Sequence, residues 1–238
     1  QEQLAMNYPG VDGKLLYDTY AATSAVVSWI NKVRFRQNDA MFSFESGRGD
    51  HQQPDHFHTV DDFIAYGAMP LQGVSSIAEY ARQPGSSHGL TPFEVAGSIR
   101  AAAQTLAVGA HRISGQSPDP DLEETLQNFR TMAALARHYA CKIEAATHLA
   151  LYRLHGDPFN QKMALSHAET ALEYWKKYAT MYDAMYYPQM LARTAMVDPT
   201  AAIPEVERDL DIIRSAKPGD EVIIKDDNFL WKRNKRRF

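Results

Sequence analysis

An apolar seam runs without a break from Leu122 to Leu154 and limits the folds open to the chain more than any other pattern in it. Its apolar and small members are spaced alternately by four and three residues, which is the repeat of one helix face. They are Leu122, Leu126, Phe129, Ala133, Ala136, Ala140, Ile143, Thr147, Ala150 and Leu154. A helix of ~33 residues would be ~50 Å long at 1.5 Å per residue. Because small side chains fill the middle of the seam, we expect a neighbouring helix to approach closely there.

The residues after this seam predict a helical hairpin. Gly156 can end the long helix in the left-handed conformation, Asp157 can cap the next helix, and Pro158 suits its first turn. The second helix has to kink or end before Pro188, since proline lacks the N–H that a helix interior requires. Its apolar face carries Met163, Ala164, Ala168, Ala171, Leu172, Trp175, Tyr178 and Tyr182.

Further helices are predicted on both sides of the hairpin. Asp12 is a candidate cap for the first of them, and Thr91 with Glu94 forms the pattern of a reciprocal capping box. The chain contains 32 alanines against 11 valines and 11 isoleucines, which favours helix over strand. We therefore predict a mostly all-α bundle of about five to seven helices forming a single domain over 1–238. The additional helices are predicted at 13–33, 59–64, 75–81, 91–113 and from about 204 onward.

An irregular loop and a basic tail interrupt this helical pattern. From 38 to 58 the periodicity disappears and Gly, Asp, His, Gln and Pro accumulate, which predicts a long polar loop of the kind that is often functional. Residues 217–238 are predicted as a C-terminal extension, in which 221–225 has the composition of a short strand without an obvious pairing partner. Five cations lie among the last seven residues, so the rest of this chain of net charge −4 carries −9. That acidic balance argues against a nucleic-acid partner.

The polar loop holds the first set of candidate site residues. His56 and His58 could both ligate a metal ion if their segment is extended, and Asp50 or Asp55 could complete a nitrogen and oxygen site. Glu45 and Arg48 could instead contact a ligand or another domain. The third interpretation is that the loop is a solvated polar surface.

An aromatic strip on the second hairpin helix supplies the other candidates. Trp175, Tyr178, Tyr182 and Tyr186 share one helical face. Such a strip can stack on sugar rings, because the apolar faces of a pyranose fit aromatic surfaces. The alternative, which we favour, is that the strip packs under the long helix with its phenol oxygens reaching water.

The sequence contains none of the common cofactor or membrane signatures. It has no phosphate-cradling glycine loop, no nucleophile elbow and no His-Glu-x-x-His zinc motif. No run approaches the ~18 apolar residues of a membrane span, and the N-terminus lacks the basic-then-apolar pattern of a signal peptide. We therefore predict no cofactor and no membrane span.

Several short segments of the predicted helices carry a family resemblance. They are ATSAVV (22–27), NKVRF (31–35), FHTVDDFI (57–64), SIAEY (76–80), TPFEVA (91–96), YACKIEAA (139–146), LYRLHGD (151–157), WKKY (175–178) and YPQ (187–189). In this order they resemble the C-terminal helical region of large secreted α-glucuronidase-like glycoside hydrolases of polysaccharide-degrading bacteria. In that family the catalytic carboxylates belong to a preceding (β/α)8 barrel.

The resemblance leads to the first hypothesis about function. The chain has no alternating strand and helix pattern that could form the barrel, so no catalytic residue is carried over. The resemblance then implies a non-catalytic helical module that supports the catalytic domain of a glycoside hydrolase or contacts glycan, in a secreted or periplasmic protein. On this hypothesis the carbohydrate-binding residues are Trp175, Tyr178, Tyr182, Glu45 and Arg48.

Two hypotheses from other classes stay open. The chain could be a small enzyme or metal-binding protein, with a site formed against the bundle by Glu45, Asp50, His51, His56 and His58. It could also be a helical interaction scaffold, which requires a concave face with exposed side chains.

Overall fold

Most of the described part of the chain is α-helical. The computed structural model describes residues 2–35, 44–48, 56–69, 72–85, 89–116, 119–190 and 196–221. A 3-10 turn spans Phe44–Ser46, and two-residue antiparallel strands span Gln189–Met190 (β1) and Met196–Val197 (β2). The helices are α1 (Glu2–Asn7), α2 (Gly13–Val33), α3 (Val60–Ala65), α4 (Ile77–Arg82), α5 (Pro92–Ile113), α6 (Pro120–His155), α7 (Pro158–Asp183) and α8 (Ile203–Ser215). The prediction of an all-α bundle is confirmed.

The predicted hairpin is present, with α6 at the centre of the bundle. Asp119 caps α6 by accepting from the first-turn N–H groups, and Gly156 ends the helix in the left-handed conformation at φ 75°. Asp157 then caps α7, which ends at Asp183, ahead of Pro188 as predicted. Helix α6 packs against α5, α7, α4 and α3. Its middle is therefore buried around most of its circumference, which explains why small residues dominate there.

The other predicted helix starts are also present. Asp12 accepts from the N–H groups of Lys14 and Leu15 at the start of α2. Thr91 and Glu94 form the expected capping box of α5, which ends at Ile113. The same reciprocal pattern starts α3 and α4.

Some elements differ from the predictions or lie outside the described residues. Helix α1 and the strands β1 and β2 were not predicted, because segments this short carry too little periodic signal. The predicted strand at 221–225 and the basic tail lie outside the described residues except for the first positions of the extension. Within the predicted polar loop, the described residues include the 3-10 turn, whose Phe44 is buried in the core. None of the described helices combines the length and the apolar character that crossing a membrane requires.

Candidate functional site

A cleft of about 410 Å³ lies between α2, α6, α7 and the 3-10 turn. This volume is within the ~300–1,000 Å³ that is typical of small-molecule sites. Three threonines, Asn128 and Glu45 contribute polar groups to the lining, and Phe129, Met132 and Leu135 contribute apolar surface. The rest of the described lining consists of four tyrosines, Tyr20, Tyr178, Tyr182 and Tyr186. We call this the Glu45 cleft.

Two tyrosines of α7, with Tyr186 just beyond the end of that helix rather than on its face as predicted, form one wall of the Glu45 cleft. Tyr178, Tyr182 and Tyr186 follow one another at four-residue intervals, with ring centroids 5.8 Å and then 5.1 Å apart. The Tyr186 hydroxyl donates to Asn128 Oδ1 at 2.6 Å, which fixes the orientation of that amide. On the opposite side Tyr20 meets Phe129 edge to face, at a centroid distance of 4.9 Å. Tyr20 is the most exposed of the four tyrosines, at 39%.

Two other hydrogen bonds hold the turn that carries Glu45. The Tyr139 hydroxyl on α6 donates to the Phe44 carbonyl at 2.5 Å, and the Tyr178 hydroxyl on α7 donates to the Glu45 carbonyl at 2.9 Å. Gly47 follows in the left-handed region at φ 68°, with the Phe57 ring so close that a Cβ would overlap it. Glycine is therefore required at the end of this turn.

The carboxyl of Glu45 lies in an environment that disfavours its charge. Its Oε2 atom is buried and has no hydrogen-bond partner among the described residues. Burial raises the pKa of Glu45, although a hydrogen bond with its own backbone opposes that shift. Such a carboxyl can accept a hydrogen bond from a ligand hydroxyl, and it can donate one when it is protonated.

The five predicted carbohydrate-binding residues have different surroundings. Glu45, Tyr178 and Tyr182 line the cleft together, but the two tyrosines are buried, at 2% and 8% exposure, so Tyr20 and Tyr186 supply most of its exposed aromatic surface. Trp175 has no exposed surface, because its indole packs edge to face against Phe57 and His138 and its N–H donates to the Pro199 carbonyl at 2.8 Å. A ring without exposed surface cannot stack on a sugar, so Trp175 acts as a packing residue. Arg48 is half-buried and lies outside the described lining.

Two of the three predicted metal-ligating residues, His56 and His58, are engaged by the protein itself. Arg34 Nη2 donates to His58 Nε2 at 2.7 Å, and both residues are buried. Burial, together with the Arg34 charge, lowers the pKa of His58 well below its usual value. His56 Nε2 lies 2.8 Å from Asp62 Oδ2, the carboxylate that also forms the capping box of α3. Asp50, His51 and Asp55 lie outside the described residues. Among the residues that the structure describes, no group of three potential ligands converges on a metal position.

Tyr20 and Asn128 line the cleft although neither was predicted as a site residue. In the sequence Tyr20 belongs to the apolar face of α2, and Asn128 has no signal that distinguishes it. Tyr186 is part of the predicted aromatic strip but not of the predicted site. Its four-residue spacing from Tyr182 is the signal that could have placed it there.

Comparisons with known proteins give a result at the level of fold. No protein-family model matches the chain, and no curated protein matches it. Among solved structures it is similar to a glycoside hydrolase described as a GH138 enzyme targeting pectin rhamnogalacturonan II. The TM-score is 0.69 at 11% sequence identity, and the match covers 90% of this chain and 33% of that chain. The chain thus spans a third of that glycoside hydrolase and shares the fold of that part.

Proposed function

We propose that the chain is a helical, non-catalytic module of a carbohydrate-active protein and that it contacts glycan through the Glu45 cleft. The observation that carries the proposal is the composition of the cleft. The lining combines aromatic surface, mainly that of Tyr20 and Tyr186, with Asn128 and the carboxyl of Glu45. A pyranose presents an apolar face and a rim of hydroxyls, so it needs both kinds of surface at once.

The fold similarity supports the idea of a module. A region of this fold makes up 33% of a protein described as a GH138 enzyme targeting pectin rhamnogalacturonan II. A catalytic domain is therefore the partner that we propose for this chain, in a secreted or periplasmic protein. The chemistry would belong to that domain, with the helical module binding polysaccharide beside it.

Affinity gel electrophoresis tests the glycan contact. The purified chain is run in native gels that contain single polysaccharides, neutral and acidic, with pectin among them. We expect at least one polysaccharide to retard the protein. Tyr20→Ala should weaken that retardation by about threefold or more, because an aromatic contact contributes about 0.5–1.5 kcal/mol beyond its buried area.

Tyr17→Ala is the matched control for this experiment. Tyr17 lies on the same helix and is 48% exposed, but it is outside the described lining of the cleft. Its substitution should leave the retardation unchanged. An unretarded wild-type protein, or equal losses in the two variants, would contradict the proposal. If the protein releases reducing ends from any of these polysaccharides, it is catalytic, and the proposal that it is a non-catalytic module is contradicted.

A further inference from the structure

We propose that Glu45 makes the cleft selective for uncharged sugar units and keeps out uronates, the sugars whose C6 carbon is a carboxylate. This inference rests on the proposed glycan contact and adds the class of sugar that the cleft accepts. It assigns to Glu45 the role of a specificity-determining residue rather than a catalytic one.

The charge of the cleft lining favours uncharged ligands over carboxylates. The described residues that line the cleft include one carboxyl, Glu45, and no lysine, arginine or histidine. Proteins bind carboxylate ligands mainly through arginine and lysine, which neutralise the ligand and donate to both of its oxygens. On α6, next to Phe129 in the chain, the Arg130 guanidinium donates instead to Glu123 at 2.7 Å and to Gln127 at 3.2 Å.

Two phenols beside Glu45 already donate to backbone carbonyls and cannot donate to its carboxyl as well. A tyrosine hydroxyl has a single proton to donate. Tyr139 donates it to the Phe44 carbonyl, and Tyr178 donates it to the Glu45 carbonyl. The buried Oε2 of Glu45 therefore has no hydrogen bond from the described residues. A buried acceptor without a donor is costly, so the carboxyl favours a neighbouring hydrogen-bond donor over a second acceptor.

A uronate and a neutral sugar differ sharply in this setting. The C6 hydroxyl of a neutral hexose can donate to the Glu45 carboxylate. The C6 carboxylate of a uronate brings a second negative charge to the same part of a cleft whose aromatic walls screen charge poorly. Tyr178 and Tyr182 are buried, at 2% and 8% exposure, so they present little ring surface to either sugar and do not discriminate between them.

The experiment compares glycans that differ only at C6. Each neutral polysaccharide of the gel panel is paired with its counterpart in which C6 has been oxidised to the carboxylate, and pectin is paired with its carboxyl-reduced form. Dissociation constants come from retardation at a series of polysaccharide concentrations at pH 7. In each pair of polysaccharides that the protein binds, we expect the neutral member to bind at least about tenfold more tightly than the uronate member, because the uronate meets the Glu45 charge.

The variant Glu45→Gln tests whether Glu45 causes that preference. Glutamine keeps the size of the side chain and an acceptor oxygen but removes the charge, so the ratio within each pair should fall toward one. Glu173→Gln, on α7 outside the described lining, should leave the ratio unchanged.

The possible failures of this inference and of the proposed function are distinguishable. Wild-type protein that binds the uronate member equally well or better would overturn the inference and leave the glycan contact standing. If Glu45→Gln leaves the ratio of the two dissociation constants within each pair unchanged, the inference is also overturned and the glycan contact stands. Absence of retardation by every member of every pair would overturn the proposed function, and the inference with it.

Discussion

His138 shows how the packing of α6 against α7 controls the chemistry of single side chains. The imidazole has no exposed surface, and its Nδ1–H donates to the Ala171 carbonyl at 3.0 Å. Its other nitrogen, Nε2, has no hydrogen-bond partner among the described residues. Burial, with a further contribution from the Lys142 charge, lowers the pKa of His138 to about 3. The side chain is therefore neutral in the folded protein across the physiological range.

This shift predicts that acid destabilises the protein. In the unfolded chain a histidine takes up its proton near pH ~6.5, whereas in the folded protein His138 takes it up only near a pKa of about 3. The neutral, buried His138 makes its full contribution to the free energy of unfolding above pH ~6.5. As the pH falls from there toward ~3, this contribution is lost at up to about 1.4 kcal/mol per pH unit. Chemical denaturation at a series of pH values measures this slope.

His138→Asn should be less stable than the wild type at pH 7, because it leaves a cavity, but its stability should fall less steeply with acid. The amide of asparagine can still donate to the Ala171 carbonyl. The exposed position His111→Asn is the control and should keep the wild-type slope. Parallel pH profiles for wild type and His138→Asn would show that His138 does not contribute. His58, whose pKa burial also lowers, contributes a further part of the wild-type slope.

The crossing of α2 and α5 depends on one small residue. Gly109 on α5 lies against Thr19 on α2, and a Cβ at Gly109 would overlap the Thr19 Oγ1 atom. Thr19 cannot easily move aside, since it is buried and its hydroxyl donates to the Leu15 carbonyl at 2.7 Å. Glycine is required here by the approach of the two helices, not by its backbone conformation.

Two glycine substitutions on α5 therefore have opposite expected effects. Gly109→Ala should lower the free energy of unfolding by about 1–3 kcal/mol, the usual cost of overpacking a filled interface. Gly97→Ala should raise it by roughly 0.5–1 kcal/mol, because alanine favours the helix and nothing lies within 4 Å of the added Cβ. Urea unfolding of both variants checks the prediction, which fails if Gly109→Ala is as stable as Gly97→Ala.

A buried ion pair joins three distant parts of the whole molecule. Lys142 Nζ on α6 lies 2.6 Å from Asp209 Oδ2 on α8, and both side chains are almost completely buried. The other oxygen of Asp209 accepts from the N–H of Val60, at the start of α3, at 2.8 Å. Burial raises the pKa of Asp209, and the Lys142 cation opposes the shift. The pair thus connects α8 to the centre of the bundle.

Breaking this pair on one side should destabilise the protein strongly. Lys142→Met leaves Asp209 buried without its cation, and such variants lose about 3–5 kcal/mol at pH 7. Because the pKa of Asp209 then lies further above the ~3.9 of the unfolded chain, the loss should be complete at neutral pH and should shrink as the pH falls toward ~4. Urea unfolding at pH 7 and at pH 4 measures both effects.

The double variant Lys142→Met/Asp209→Asn should recover much of that loss, since asparagine is uncharged and can still accept from Val60. The exposed pair Lys176–Glu207, which connects α7 to α8 at 3.0 Å, provides the matched control. Lys176→Met should cost less than about 1 kcal/mol, as is usual for exposed ion pairs. Equal losses in Lys142→Met and Lys176→Met would contradict a special role for the buried pair.

The helices could be predicted from the amino-acid sequence, because their signals are local. The four-and-three spacing of the seam, the capping box at Thr91 and the Gly156-Asp157-Pro158 junction each act within a few residues of the chain. They predicted α5, α6 and α7 nearly to their ends. The polar turn around Glu45 was recognised as irregular for the same reason.

Which of these residues meet depends on how the helices pack against one another. Tyr20, Glu45 and Tyr182 are far apart in the chain, and their place in one cleft depends on how α2, α6 and α7 pack. Packing also decided that Trp175 is enclosed while Tyr20 is exposed, although both are aromatic residues on amphipathic helices. Contacts between distant segments follow from the fit of whole helix surfaces, and no local pattern in a single sequence encodes that fit.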